Sequence, residues 1–157
     1  KSKFPYYGAS IALKQEGKTT AAMVCNFANG DCFIRVNGEH YRRSLFRKDE
    51  REDVRINLHT KVGLFEKASL HPDAARALIE NSLKFRAPGA VALSLAYAHV
   101  SKYMIFVGNR RPYDIEAGLY LCEDLHTYMS EEVIIVSHNK DVFAKILTIF
   151  NLTDSSS

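Results

Sequence analysis

Directly behind the turn signal Asn37-Gly38 the sequence places Glu39, His40, Tyr41, Arg42 and Arg43 in succession. An acid, an imidazole, a phenol and two guanidiniums are the side chains that grip a flat, charged ligand. A ring stacks, a carboxylate accepts N–H donors, and cations meet phosphates. The same residues also make the wet face of an ordinary sheet. On a regular strand His40 and Tyr41 point to opposite faces, so a single site can use one of them as a wall. A second basic pair, Arg110 and Arg111, precedes Pro112 in a stretch that reads as a loop. Such a pair contacts RNA phosphates or a partner subunit, or is simply solvated.

The other reactive residues form no familiar catalytic pattern. There is no P-loop, GxGxxG, HExxH or GxSxG. His40, His59, His71, His99, His126 and His138 are scattered, with no two at metal-ligand spacing, so neither a metal nor a cofactor is expected. Three cysteines include no CxxC pair. Cys25 and Cys32 flank a turn and can face each other across a hairpin, but an odd count is a poor disulfide framework. Reduced thiols in an intracellular protein are the expectation. The acidic pairs Glu123-Asp124 and Glu131-Glu132 read as solvated charge. A free-standing enzyme is not expected.

These residues must be held by a folded core. The 157 residues are 46% hydrophobic and 25% charged, the balance of a globular chain. A net charge of +3 does not by itself imply nucleic-acid binding. No apolar run is long enough to cross a bilayer and no signal-peptide pattern opens the chain, so no membrane partner is expected. A start at Lys1 without Met, and the close Asp154-Ser155-Ser156-Ser157, read as an excised piece. One domain over 1–152 with a linker-like tail at 153–157 is the expected organisation.

Strand and turn signals fill the first sixty positions. Apolar runs at 6–13 and 20–27 are closed by Gly17 and by Asn29-Gly30, and 33–36 and 41–46 flank Asn37-Gly38. Val54, Ile56 and Leu58 alternate with polar residues and predict a further strand. The period then changes. Pro72-Asp73 opens a helix through Leu83, whose stripe should lie on the sheet. Residues 90–100 fit helix or strand, 103–107 a strand, 114–128 a helix, 132–137 a strand, and 141–150 either. The fold class is α+β: a twisted antiparallel sheet packed by a long helix, with a smaller helix/strand C-terminal part.

Taken in order, "YYGASIALKQEGK", "CFIRVNGEHYRR", "VRINLHTKVGLFEKASL", "HPDAARALIENSLKF" and "YMIFVGNRRPYDIEAGL" resemble the cap-binding domain of orthomyxovirus polymerase basic protein 2, in a divergent, thogotovirus-like form. The resemblance implies recognition of 7-methylguanosine on capped host mRNA, in the service of cap-snatching by a viral RNA polymerase. It further implies other polymerase subunits as partners, a non-catalytic role, and location in the host nucleus and virion. In that family two rings sandwich the cationic base. One falls on Phe85, for which core packing is the alternative; the other falls on Asn37, which has no aromatic face. The base-reading carboxylate falls near Tyr41, with Glu39 as a displaced substitute, and the base-contacting lysine falls near Thr60 or Lys61. Tyr41 or His40 would have to supply the missing wall. The incomplete sandwich implies weak or absent cap binding by the isolated domain. The alternative is a protein-interaction or structural module of the polymerase.

Overall fold

A computed structural model of the chain describes residues 8–47, 50–87, 89–108 and 112–152, with backbone alone for 112–114. The fold is α+β, built on two five-stranded sheets. The first is an antiparallel meander of β1 (Gly8–Gln15), β2 (Lys18–Asn26), β3 (Asp31–Val36), β4 (Glu39–Ser44) and β5 (Arg51–Asp53). Its tight turns follow from local chemistry. Asn37 and Gly38 both have positive φ, 53° and 80°, the conformation a two-residue hairpin needs to match strand twist.

The second sheet has the order β7-β6-β8-β10-β9. Its strands are β6 (Val62–Glu66), β7 (Lys84–Arg86), β8 (Met104–Val107), β9 (His126–Met129) and β10 (Val133–Ser137). β6 runs parallel to both β7 and β8, and β10 runs antiparallel to β8 and β9. Helices α1 (Pro72–Glu80), α2 (Val91–Ala96), α3 (Pro112–Leu121) and α4 (Lys140–Ile149) complete the fold. Pro72 starts α1 at a position whose N–H would be unpaired anyway, and the Asn139 side chain caps α4 by accepting from Val142 N at 3.0 Å.

Burial shows how the layers stack. Ala22, Val24 and Phe33 of the first sheet pack on Leu93, Ala96, Ala117 and Leu121 of α2 and α3. The far side of those helices, with Leu95, Ile115 and Cys122, meets Leu64, Met104, Phe106, Ile134 and Val136 of the second sheet. The opposite face of that sheet, Phe65, Ile105 and Ile135, is covered by Leu78 of α1 and by Phe143, Ile146 and Leu147 of α4. Alternate residues along β8 and β10 thus enter different cores, which is why both strands read as continuous apolar runs. The stripe of α1 lies on this second sheet, and the antiparallel meander is covered by the small-residue helices instead.

Three local expectations are corrected and one left open, residues 90–100, is settled as helix. Residues 54–61 form no strand; Ile56 and Leu58 stay exposed, and the β4 edge pairs with Arg51–Asp53. The helix expected through 128 stops at Leu121, because 126–129 gain a full antiparallel ladder with β10. Residues 90–100 become α2 and a 3₁₀ turn at Ala98–Val100, their small side chains fitting between two sheets. Cys25 and Cys32 are not free thiols: they are cross-strand partners joined by a disulfide, and Cys122 is the free, buried cysteine. The tail 153–157 lies outside the described residues.

Candidate active site

The C-terminal ends of β6, β7 and β8, at Glu66, Arg86 and Val107, lie side by side because these three strands are parallel. Sheets of this kind present their ligand crevices at that edge, where the chain leaves each strand for the next helix. Each exit here is sharply turned. Lys67 is left-handed (φ 58°), Gly89 has φ 108° and Gly108 has φ 145°. Gly108 N–H donates to the Glu132 carbonyl at 2.8 Å, which pins the end of β8 beside the start of β10. A three-residue connection then enters α3.

Glu66 organises the rim. It is 5% exposed, yet no cation pairs with it among the described residues. Its carboxylate accepts the Gly89 N–H at 3.0 and 3.2 Å and the Ser94 hydroxyl at 2.7 Å. A buried carboxylate must be satisfied in this way, and the bonds tie the exit of β7 to the end of β6. Lys67 and Arg86 are exposed at the same edge and make no ion pair among the described residues. Among those residues no three His, Cys, Asp or Glu side chains gather as metal ligands would. Both Glu66 oxygens already accept hydrogen bonds from the rim itself.

The residues singled out in the sequence do not converge. Asn37 is an exposed turn residue, and Glu39 is exposed and paired with Arg51. Tyr41 sits on the outer side of β4, with the Arg51 guanidinium carbon 3.8 Å from the centroid of its ring. His40 points the other way, toward the helices. Lys61 is exposed just before β6. Phe85 lies in β7, in the other sheet, half-buried with its ring 5.4 Å from Phe65. Arg110 and Arg111 lie outside the described residues; the sequence puts them in the β8–α3 connection. A hollow of about 590 Å³ beside β4 and β5 holds four arginines, but three are paired: Arg42 with Asp31 and Glu52, Arg47 with Glu50, and Arg51 with Glu39.

Sequence reasoning missed a buried polar cluster. Arg35, 7% exposed, lies 2.7 Å from Asp124 Oδ1 and 3.5 Å from Glu123; the two acids are themselves exposed, as their reading as solvated charge expects, and close the outer side of the cluster. His99 Nε2 is 2.9 Å from the same Asp124 oxygen, and the His40 and His99 rings meet edge to face at 4.6 Å. Burial, helped by the charges on His99 and Arg35, pushes the His40 pKa down to about 3. Burial also lowers His99, against the pull of Asp124. Burial pushes Asp124 up, but the His99 contact and the Arg35 charge outweigh it and hold the carboxyl below its usual range. Arg35 meets Leu121 and Asp124 across 86 and 89 positions, and His99 meets Asp124 across 25, so no local motif signals them.

No family model and no curated protein matches the chain. Solved structures do. SuhB of Mycobacterium tuberculosis superposes with a TM-score of 0.72 at 18% identity, covering 94% of this chain and 65% of that one. The IMPase of Thermotoga maritima gives 0.72 at 16%, covering 90% and 59%. SaIMPase-II with inositol monophosphate bound gives 0.68 at 16%, covering 88% and 60%. The chain therefore spans less than two thirds of each of these neighbours.

This overturns the cap-binding resemblance, and with it the cap-snatching role, the alternative of a polymerase interaction module, the capped-mRNA and polymerase-subunit partners, and the nuclear and virion location. The non-catalytic reading goes too, since several of the matching structures are named as inositol monophosphatases. The resemblance rested on strand, turn and helix signals in a given order. Such signals do not report which strands pair, and here they divide between two sheets. The chain has the fold of the SuhB and inositol monophosphatase structures.

Proposed function

We propose that the chain serves phosphomonoester hydrolysis and binds a small phosphorylated molecule at the C-terminal ends of β6, β7 and β8. The carrying observation is the likeness, over about nine tenths of the chain, to structures named as inositol monophosphatases, one of them holding inositol monophosphate. Fold likeness alone does not assign chemistry. The support from this chain is the parallel strand edge, the cations Lys67 and Arg86 there, unpaired among the described residues, and the start of α3, four residues beyond Gly108. An anion is favoured where helix N–H groups and cations converge.

The reaction would break the ester P–O bond by attack of water on phosphorus, and the leaving alcohol would take up a proton. Little covalent chemistry falls to the protein; it positions the groups and balances charge on the phosphoryl oxygens. Lys67 and Arg86 supply that balance. Glu66 holds the rim in shape through Gly89 and Ser94.

Titration with inositol monophosphate and with inositol tests the reading, alongside phosphate release in the presence of a divalent cation. The expected result is saturable binding of the phosphate ester, none of inositol, and both binding and release weakened in a Lys67→Ala, Arg86→Ala chain. Equal binding of both compounds, or of neither, overturns it.

A further inference from the structure

His40 projects from the inner side of β4, His99 sits in the 3₁₀ turn after α2, and Asp124 lies between α3 and β9. Their hydrogen bonds fix where the protons are. A guanidinium can only donate, so His40 Nδ1, 3.3 Å from Arg35 Nη2, is the bare acceptor and the proton is on Nε2. A carboxylate at this pH can only accept. His99 Nε2, 2.9 and 3.1 Å from the two Asp124 oxygens, therefore carries the proton, and its Nδ1 is bare. His40 Nε2 and His99 Nδ1 are both buried with no hydrogen-bond partner among the described residues.

We propose that His40 and His99 form an acid-released latch, which closes the β3–β4 hairpin onto the helical layer while both rings are neutral and opens it when either takes up a proton. A proton on His40 Nδ1 would set N–H against N–H and cation against cation across the 3.3 Å to Arg35. A proton on His99 Nδ1 would find no acceptor. Two charged rings at 4.6 Å would also repel each other. The surrounding charge does not rescue them. Asp124 and Glu123 are the acids at the cluster, and both already face Arg35. His138 is the other titratable group near His99, and burial together with the His99 and Lys102 charges lowers its own pKa, so it brings no negative charge to the cluster. The direction of the histidine shifts agrees with this geometry.

Hydrogen exchange on the whole chain at pH 7.5 and pH 5, corrected for intrinsic rates, tests the latch. Protection in residues 31–44 and 97–101 should fall about tenfold or more at pH 5, while Val133–Ser137 and α4 keep theirs. The double variant His40→Asn with His99→Gln keeps an acceptor toward Arg35 and a donor toward Asp124 but cannot titrate, and should lose the response. Histidine-ring NMR on the unsubstituted chain gives an independent reading, with both rings staying neutral until the hairpin signals move. The proposal is overturned by rings that titrate near 6.5 in an undisturbed hairpin, by an equal loss of protection in both sheets, or by a full response in the double variant.

Discussion

A single methyl group placed on Gly63 should unsettle β6 and β7, two of the three strands that carry the rim. Gly63 lies in β6 under the fully buried ring of Tyr103, and a Cβ there would stand 2.3 Å from Cε2 and Cζ and 2.5 Å from Cδ2. Ordinary carbon contacts need about 3.5 Å or more, so the ring must move by about an ångström. It is not free to do so. Its hydroxyl donates to the Leu83 carbonyl at 2.7 Å and lies 3.1 Å from the Lys84 carbonyl. Phe65, Leu78 and Ile105 share its core. Overpacking of this kind costs about 1–3 kcal/mol, and a broken buried hydrogen bond adds about 1. Gly63→Ala should therefore cost about 3 kcal/mol. Urea unfolding measures it, as a lower midpoint at unchanged slope. Tyr103→Leu in the same chain removes the obstructing ring, so the two changes should couple by about 1 kcal/mol or more. A loss below about 1 kcal/mol for Gly63→Ala, or strict additivity of the pair, would refute the argument. Because Gly63 pairs with Phe85 of β7, the displacement should also weaken ligand binding at the strand ends.

Other outcomes follow from the same contacts. Below pH 6.5 the unfolded chain takes a proton on His40 that the folded chain refuses until about pH 3, so stability is full above 6.5 and falls as the medium is acidified. From pH 7.5 to pH 5 that difference comes to about 2 kcal/mol at most, since the ring is partly exposed; urea midpoints at the two pH values measure it. His99 adds a loss of the same sign. Reduction of Cys25–Cys32, seven positions apart, should lower stability by about 2 kcal/mol, and calorimetry with and without reductant should show the melting temperature fall. No change on reduction would mean that the β2–β3 hairpin holds itself without the bond.

What was legible in the sequence was what short-range chemistry decides. Asn37-Gly38 announces a two-residue hairpin because few residue pairs accept two positive φ angles, and Pro72-Asp73 announces a helix start. Val54, Ile56 and Leu58 misled because alternation shows that a strand is possible, not that a partner edge awaits it. The true edge strand, Arg51–Asp53, is all charged and carries no apolar signal; Arg42 with Glu52 and Arg51 with Glu39 hold it. Cys122 and Leu125 continue a helical spacing past Leu121, but pairing of 126–129 with β10 overrides it. The rim and the polar cluster were hidden for one reason. Glu66 meets Gly89 and Ser94, and Arg35 meets Asp124, through parallel pairing and layer stacking that local patterns do not encode.

The central claim is that the β6–β7–β8 edge holds a phosphorylated small molecule. Backbone amide NMR during titration with inositol monophosphate tests it most directly. The account predicts saturable shifts confined to the neighbourhoods of Lys67, Gly89, Gly108 and the start of α3, absent with inositol and reduced in a Lys67→Ala, Arg86→Ala chain. Shifts centred on the Arg42–Arg47 hollow, or no shifts at any concentration, would contradict it.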